Sequence, residues 1–228
     1  MWIVIISGSV AGLIHVLSGP DHLAAVAPFA IEEGKRSWIS GFKWGIGHTL
    51  GVWAIGLLAF LFREVLPIGF LSAWSERLVG VMLIAIGIWG IRKAYTARLH
   101  YHTHRHDGVE HAHFHIHRGE EVHKHEEEQG HHHSHAPLGI GLLHGLAGSS
   151  HLLGVLPALV LPTRLASLTY VVCFGVGSIF AMTFFSWALG KIYLQFSGKF
   201  QYAYNWLMFG FSAAAIAVGG VWLSISMG

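Results

Sequence analysis

Two stretches of the sequence, GLIHVLSGPDHLAAVAP at 12–28 and GLLHGLAGSSHLLGVLP at 141–157, share Gly-Leu, His, Leu, Gly, His-Leu, Val and Pro at identical offsets. His15 corresponds to His144, and His22 to His151. Two weaker echoes follow: WGIGHT (44–49) with FGVGSI (174–179), and GIW (87–89) with GVW (220–222). A chain that repeats itself in this way has to fold as two related halves, and that constraint precedes the assignment of any single element.

Each half is apolar enough for a bilayer. Hydrophobic residues make up 53% of the 228 and charged residues only 11%. Soluble domains carry about 25% charged residues. The composition therefore indicates an integral membrane protein. A spanning helix needs about 20 mostly apolar residues, and six segments meet or approach that: roughly 2–28, 38–62, 70–92, 138–161, 166–190 and 202–226. Lipid leaves backbone polar groups no outside partner, so the expected fold is an all-α polytopic membrane protein. Three spans per half is an odd number, so the second half enters the membrane from the opposite side, as an inverted repeat. The Trp2–Leu17 run lacks a basic start and a cleavage site and reads as a retained first span.

Spans one and four are interrupted by small residues, Ser18-Gly19-Pro20 and Ala147-Gly148-Ser149-Ser150. Pro20 has no amide proton and disfavours a helical residue before it, which predicts broken helices at both places. The domain reading is then a first three-helix repeat over 1–95, a histidine-rich segment over 96–137, and a second three-helix repeat over 138–228. The middle segment holds 14 of the 19 histidines together with Glu126, Glu127 and Glu128. It has no apolar periodicity and is expected to be disordered without a ligand. Eleven Lys and Arg residues fall on its side of the membrane and three on the other. The positive-inside rule makes that side cytoplasmic, with both termini outside and the cell membrane as the location.

The remaining five histidines, His15, His22, His48, His144 and His151, all lie in predicted spans, and Asp21 stands beside one of them. A carboxylate at a helix centre costs about 2.5–3.5 kcal/mol, so Asp21 needs a partner. These six residues are expected to meet between the halves, near the midplane. Imidazole and carboxylate suit nickel, cobalt, zinc, copper or iron as divalent ions. On a straight helix His15 and His22 would be roughly 10 Å apart along the axis, whereas metal–nitrogen bonds are about 2 Å. Either the break folds them together or they serve two successive sites. Asp21 then ligates directly or holds a histidine ring in place. Its counterpart in the second half is Ser150, and that of His48 is Ser178. A lone intramembrane histidine often serves only as an interhelical hydrogen bond; duplication at fixed offsets and the adjacent Asp21 favour ligation. Thr49 reads as a packing hydroxyl.

Other chemistries find little support. Cys173 is the single cysteine, so neither a thiolate cluster nor an intrachain disulfide can form. There is no phosphate-binding glycine loop, no nucleic-acid motif and no His-Glu-x-x-His pattern. An enzyme is not expected, nor a cofactor beyond a transported ion.

HVLSGPDHLAAVAP, GIGHT and a histidine-rich segment ahead of GLLHGLAGSSHLLGV resemble the nickel/cobalt transporters of the NicO and UreH-like group, over nearly the whole chain. The resemblance implies a metal-binding role for His15, Asp21 and His22, and for His48, His144 and His151. The nickel–cobalt permease signature has four residues between its first histidine and Asp-His. Here there are five, Val16 to Pro20, which favours the UreH-like or efflux branch. The group holds both importers and exporters. The expected function is thus transport of divalent Ni²⁺ or Co²⁺, with Zn²⁺ as a further candidate. The histidine-rich segment would capture or sense the metal. The bilayer, a second copy of the chain and nickel-enzyme accessory proteins are the partners considered. The alternative is an accessory protein that senses or donates metal without transporting it.

Overall fold

The computed structural model describes residues 1–61, 68–96, 98–106, 109–117, 135–147, 154–197 and 202–227. The first helix, α1 (Trp2–Ser18), stops at Gly19, whose backbone is extended, and α2 (Pro20–Glu33) starts immediately after it. Proline suits a first helical position because the amide proton it lacks would have no partner there. The break stands where the Ser-Gly-Pro sequence predicts it, and the chain bends there by 74°. Gly34, with φ 55°, ends α2 in the left-handed region that glycine adopts freely. A single 3₁₀ turn, Gly34–Arg36, leads into α3 (Ser37–Leu61). Then come α4 (Ile68–Thr96), α5 (Ala136–Leu146), a 3₁₀ turn at Leu156–Val160, α6 (Arg164–Ser197) and α7 (Ala203–Met227).

Among the described residues, three helical stretches are long and apolar enough to cross a membrane: Trp74–Thr96, Arg164–Ser197 and Ala203–Ser226. The bent pair Trp2–Ser18 and Pro20–Leu58 makes a fourth if it counts as one span. The protein is therefore an integral membrane protein of helical spans. The segment read as 138–161 is not one helix: α5 ends at Leu146, and Leu156–Val160 is a 3₁₀ turn. The break expected at Ala147-Gly148-Ser149-Ser150 runs beyond Ala147 into positions outside the described residues.

The helices pair as α4 with α7, α3 with α5, α1 with α6, and α3 with α6. Small residues permit these crossings. A Cβ on Gly12 would strike the Phe174 carbonyl of α6, and one on Gly141 the Trp44 carbonyl of α3. One face of α6 is an exposed apolar stripe, with Leu168, Val172, Val176, Phe180, Phe184 and Trp187 at helical spacing. Such a stripe suits contact with lipid tails. The buried side inverts the usual pattern, because His22, His48 and His144 sit in the core beside Val16, Trp44, Leu83 and Met182.

Within the histidine-rich segment the described residues form two antiparallel strands, β1 (Arg98–His106) and β2 (Val109–His117). The physical reason is visible in RLHYHTHRH and VEHAHFHIH, where histidine alternates with Leu, Tyr, Thr, Ala, Phe and Ile. That alternation has the period of a strand, and the reading of no apolar periodicity overlooked it. Asp107-Gly108 between the runs is itself a hairpin signal in sequence.

Candidate metal site

Four helical segments converge on one buried cluster. His15 lies in the last turn of α1, and Asp21 and His22 in the first turn of α2. His48 comes from the middle of α3 and His144 from the last turn of α5. An acidic residue in a first helical turn is favoured by the helix dipole, which eases the placement of Asp21. Asp21 is 5% exposed, His22 1%, and His48 and His144 0%, so neighbouring side chains must replace water as their partners.

Asp21 provides much of that replacement. His22 Nδ1 lies 3.0 Å from Asp21 Oδ1, and His144 Nε2 lies 3.3 Å from Asp21 Oδ2. The carboxylate that would be costly alone therefore bridges two imidazoles from different helices. The 74° bend resolves the separation that a straight helix would impose. The His15 and His22 ring centroids stand 4.7 Å apart. His22 is also 5.0 Å from His48 and 4.8 Å from His144, which puts it at the centre of the group.

Among the described residues, two sets of donors have ligand atoms all within 4.8 Å of one another: His15, His22 and His48, and Asp21, His22 and His144. Donors bound to one ion at about 2 Å can be at most about 4 Å apart, so a small inward turn of the rings brings either set to bonding distance. His22 belongs to both sets. The donor chemistry, imidazole with one carboxylate, is that of a divalent transition metal.

The sequence reading placed five of these residues in the site, and the structure brings His15, Asp21, His22, His48 and His144 together. His151, and Ser150 opposite Asp21 in the repeat, lie outside the described residues. Thr49 Oγ1 donates to the Gly175 carbonyl at 3.3 Å, consistent with a packing hydroxyl. Ser178, the counterpart of His48, likewise donates to the carbonyls of Phe174 at 3.0 Å and Gly12 at 3.3 Å.

Two aromatic residues were missed. Trp44 stacks on His48 at 4.9 Å and lies 5.2 Å from His144, and Phe174 lies 5.4 Å from His15. The signal was present, because Trp44 and Phe174 open the matched stretches WGIGHT and FGVGSI. A tryptophan face beside the cluster also favours a cation. A further network escaped the sequence reading: Glu32 accepts from Lys93 Nζ at 3.1 Å and from the Tyr204 hydroxyl at 2.6 Å, tying α2 to α4 and α7.

Comparison with known proteins adds the following. The family model described as the transmembrane region of cytochrome C biogenesis proteins matches residues 11–214. The chloroplast protein FOR GROWTH AND FERTILITY 1 of Arabidopsis thaliana is 34% identical over 81% of this chain and 49% of its own length. The urease accessory protein UreH of Bacillus sp. (strain TB-90) is 29% identical over 80% of this chain and 74% of its own length. A candidate nickel/cobalt efflux system of Methanocaldococcus jannaschii is 28% identical over 45% of this chain and 47% of its own length. The chain thus spans about half the length of the plant and archaeal relatives. The resemblance to the UreH-like and nickel/cobalt group read from the motifs is borne out by two of these relatives. No solved structure matches the chain.

Proposed function

The chain belongs to the family of the cytochrome C biogenesis protein transmembrane region, and from that premise we propose that it carries a divalent transition-metal ion, Ni²⁺ or Co²⁺, across the membrane. The observation that carries the reading is the pair of donor sets sharing His22. An ion held by His15, His22 and His48 passes to Asp21 and His144 while His22 stays bound, so it never sheds all its ligands at once. Conduction needs such neighbouring sites, each tight enough to admit the ion and loose enough to release it.

The halves act as an inverted repeat of six spans, with the first and fourth broken and the site at their interface. The packing supports this. Gly12 meets the Phe174 carbonyl while Gly141 meets that of Trp44. Gly47 meets the Leu138 carbonyl while Gly177 meets that of Ser9. Exchanging the halves turns each contact into the other. Rocking of one half against the other then exposes the site to each side in turn. The termini lie outside, and the histidine-rich segment collects metal on the cytoplasmic face of the cell membrane. The ion is cargo, and no catalytic role is assigned to any residue.

Ni²⁺ flux into proteoliposomes tests the reading. The parent chain moves Ni²⁺ or Co²⁺, and His22→Ala, which breaks both donor sets, abolishes the flux. Undiminished flux in His22→Ala defeats the assignment. A second reading takes its support from the UreH relative, a urease accessory protein: this chain would hold metal for a nickel enzyme without moving it. Metal binding without flux of any ion selects that reading.

A further inference from the structure

The buried hydroxyls of the chain are unevenly placed. Thr49 and Ser178 adjoin the cluster, and the other buried hydroxyl side chains among the described residues are Ser37, Ser40, Ser186 and Ser212. Three of those four lie between α3 and α6. On α3, Ser37, Ser40, Trp44 and His48 recur at three- and four-residue spacing, which puts them on one face. On α6, Ser178, Met182, Ser186 and Gly190 recur every four residues. The two faces meet antiparallel. Thr49 reaches the Gly175 carbonyl at one end. Farther along, a Cβ on Gly41 would strike Ser186 Oγ, and one on Gly190 would strike Ser37 Oγ.

The seam therefore starts at His48 and ends about 16 Å along the axis, at Ser37, where α3 leaves the Gly34–Arg36 turn. Lys93, near the end of α4, bonds to Glu32, near the end of α2, at 3.1 Å. This end of the seam thus lies on the side from which the histidine-rich segment departs. In the other direction from His48, α3 buries only Gly51 and Val52. Ser186 Oγ and Trp44 Nε1 are fully buried, and neither has a hydrogen-bond partner among the described residues. An unmade hydrogen bond at a buried polar group is destabilising. Polar groups retained at such cost inside a membrane mark the paths of substrates and ions.

We propose that the seam between α3 and α6 is the route by which a hydrated divalent cation passes between the cluster and the side bearing the Gly34–Arg36 turn. The inference rests on the reading of a chain that moves such an ion. α3 belongs to the first half of the repeat and α6 to the second, so the seam is a junction of the halves. It is shut in this structure, because Gly41 and Gly190 allow close contact. Parting the halves uncovers a row of hydroxyls. Their oxygens can take the place of part of the ion's water shell, as polar groups lining a pore do. Trp44 Nε1 donates to water in the opened seam.

Thiol labelling tests the route without relying on flux. Cys173→Ser removes the native thiol, and Ser40→Cys, Ser186→Cys, Lys35→Cys and Phe184→Cys are then made singly in that background. A membrane-impermeant methanethiosulfonate is applied to either face of proteoliposomes. Lys35 is exposed in the turn and marks its side of the membrane. Phe184 belongs to the exposed apolar stripe of α6, and its cysteine should not react. Ser40→Cys and Ser186→Cys are expected to react from the side that reaches Lys35→Cys. Reaction from the opposite side alone, or none while Lys35→Cys reacts, overturns the route. Ser186→Ala separates conduction from packing. Its melting temperature in detergent should equal or exceed the parent's, while Ni²⁺ flux falls about tenfold, the scale of one hydrogen bond to a charged group. Parent-like flux, or a lowered melting temperature, overturns the role of that hydroxyl. Flux of the parent against His22→Ala decides the transport reading by itself, so flux without labelling overturns the seam alone.

Discussion

Gly19 is where backbone and chemistry meet most closely. A Cβ at that position would press on the His22 ring at Nδ1 and come 2.9 Å from Asp21 Oδ1. The bare backbone therefore lets Asp21 and His22 close over the break. Gly19→Ala is expected to turn the His22 ring away and weaken Ni²⁺ binding by about 10–100-fold, as losses of orienting contacts around a metal do. Its helix content by circular dichroism should equal the parent's. Parent-like affinity would contradict this role. His15, Asp21, His22 and His144 were legible in the sequence because polar residues are costly in lipid and because repetition marks them. Trp44 was not, since a tryptophan in an apolar span reads as ordinary packing until its neighbours are known. The Lys93–Glu32–Tyr204 network was hidden for a related reason: its members are 61 and 172 residues apart along the chain.

Among the elements, the crossings of α1 on α6 and of α5 on α3 rest on the absence of side chains. Gly12→Val and Gly141→Val each force a branched side chain against a backbone carbonyl of the facing helix. Overpacking of this kind costs about 1–3 kcal/mol, so both variants should melt earlier in detergent than the parent. If the two crossings are equivalent by the repeat, the two losses should match. An unchanged melting temperature for either would show that crossing to be loose. The first break was legible because Gly19-Pro20 can hardly continue a helix. The hairpin was not read, although its pattern is written in the same letters. Histidine has no strong place on an apolar scale, so alternation with it is easily taken for polar sequence without order. Six apolar segments were read; in the fourth, expected to be broken, the described residues give α5 and the 3₁₀ turn Leu156–Val160.

For the whole molecule, Asp21 is the single carboxylate of the two donor sets, and the repeat offers a serine opposite it. With neutral imidazoles the empty cluster carries one negative charge, and with a divalent ion it carries one positive charge. Under alternating access both half-cycles then move charge through the membrane field, the loaded site in one direction and the empty site in the other. Each elementary charge is worth about 2.3 kcal/mol per 100 mV. Asp21→Asn changes that symmetry, because its empty site is neutral and its loaded site carries both charges of the ion. Ni²⁺ flux measured in proteoliposomes under clamped potassium gradients should respond to voltage in both half-cycles of the parent. In the Asn variant the return should lose its voltage dependence while loading becomes steeper. A return step equally sensitive in both chains would remove Asp21 from the moving charge. One side chain, placed on one half of a repeat and omitted from the other, divides the ion's two charges between the loaded step and the return, so that the membrane potential acts on both.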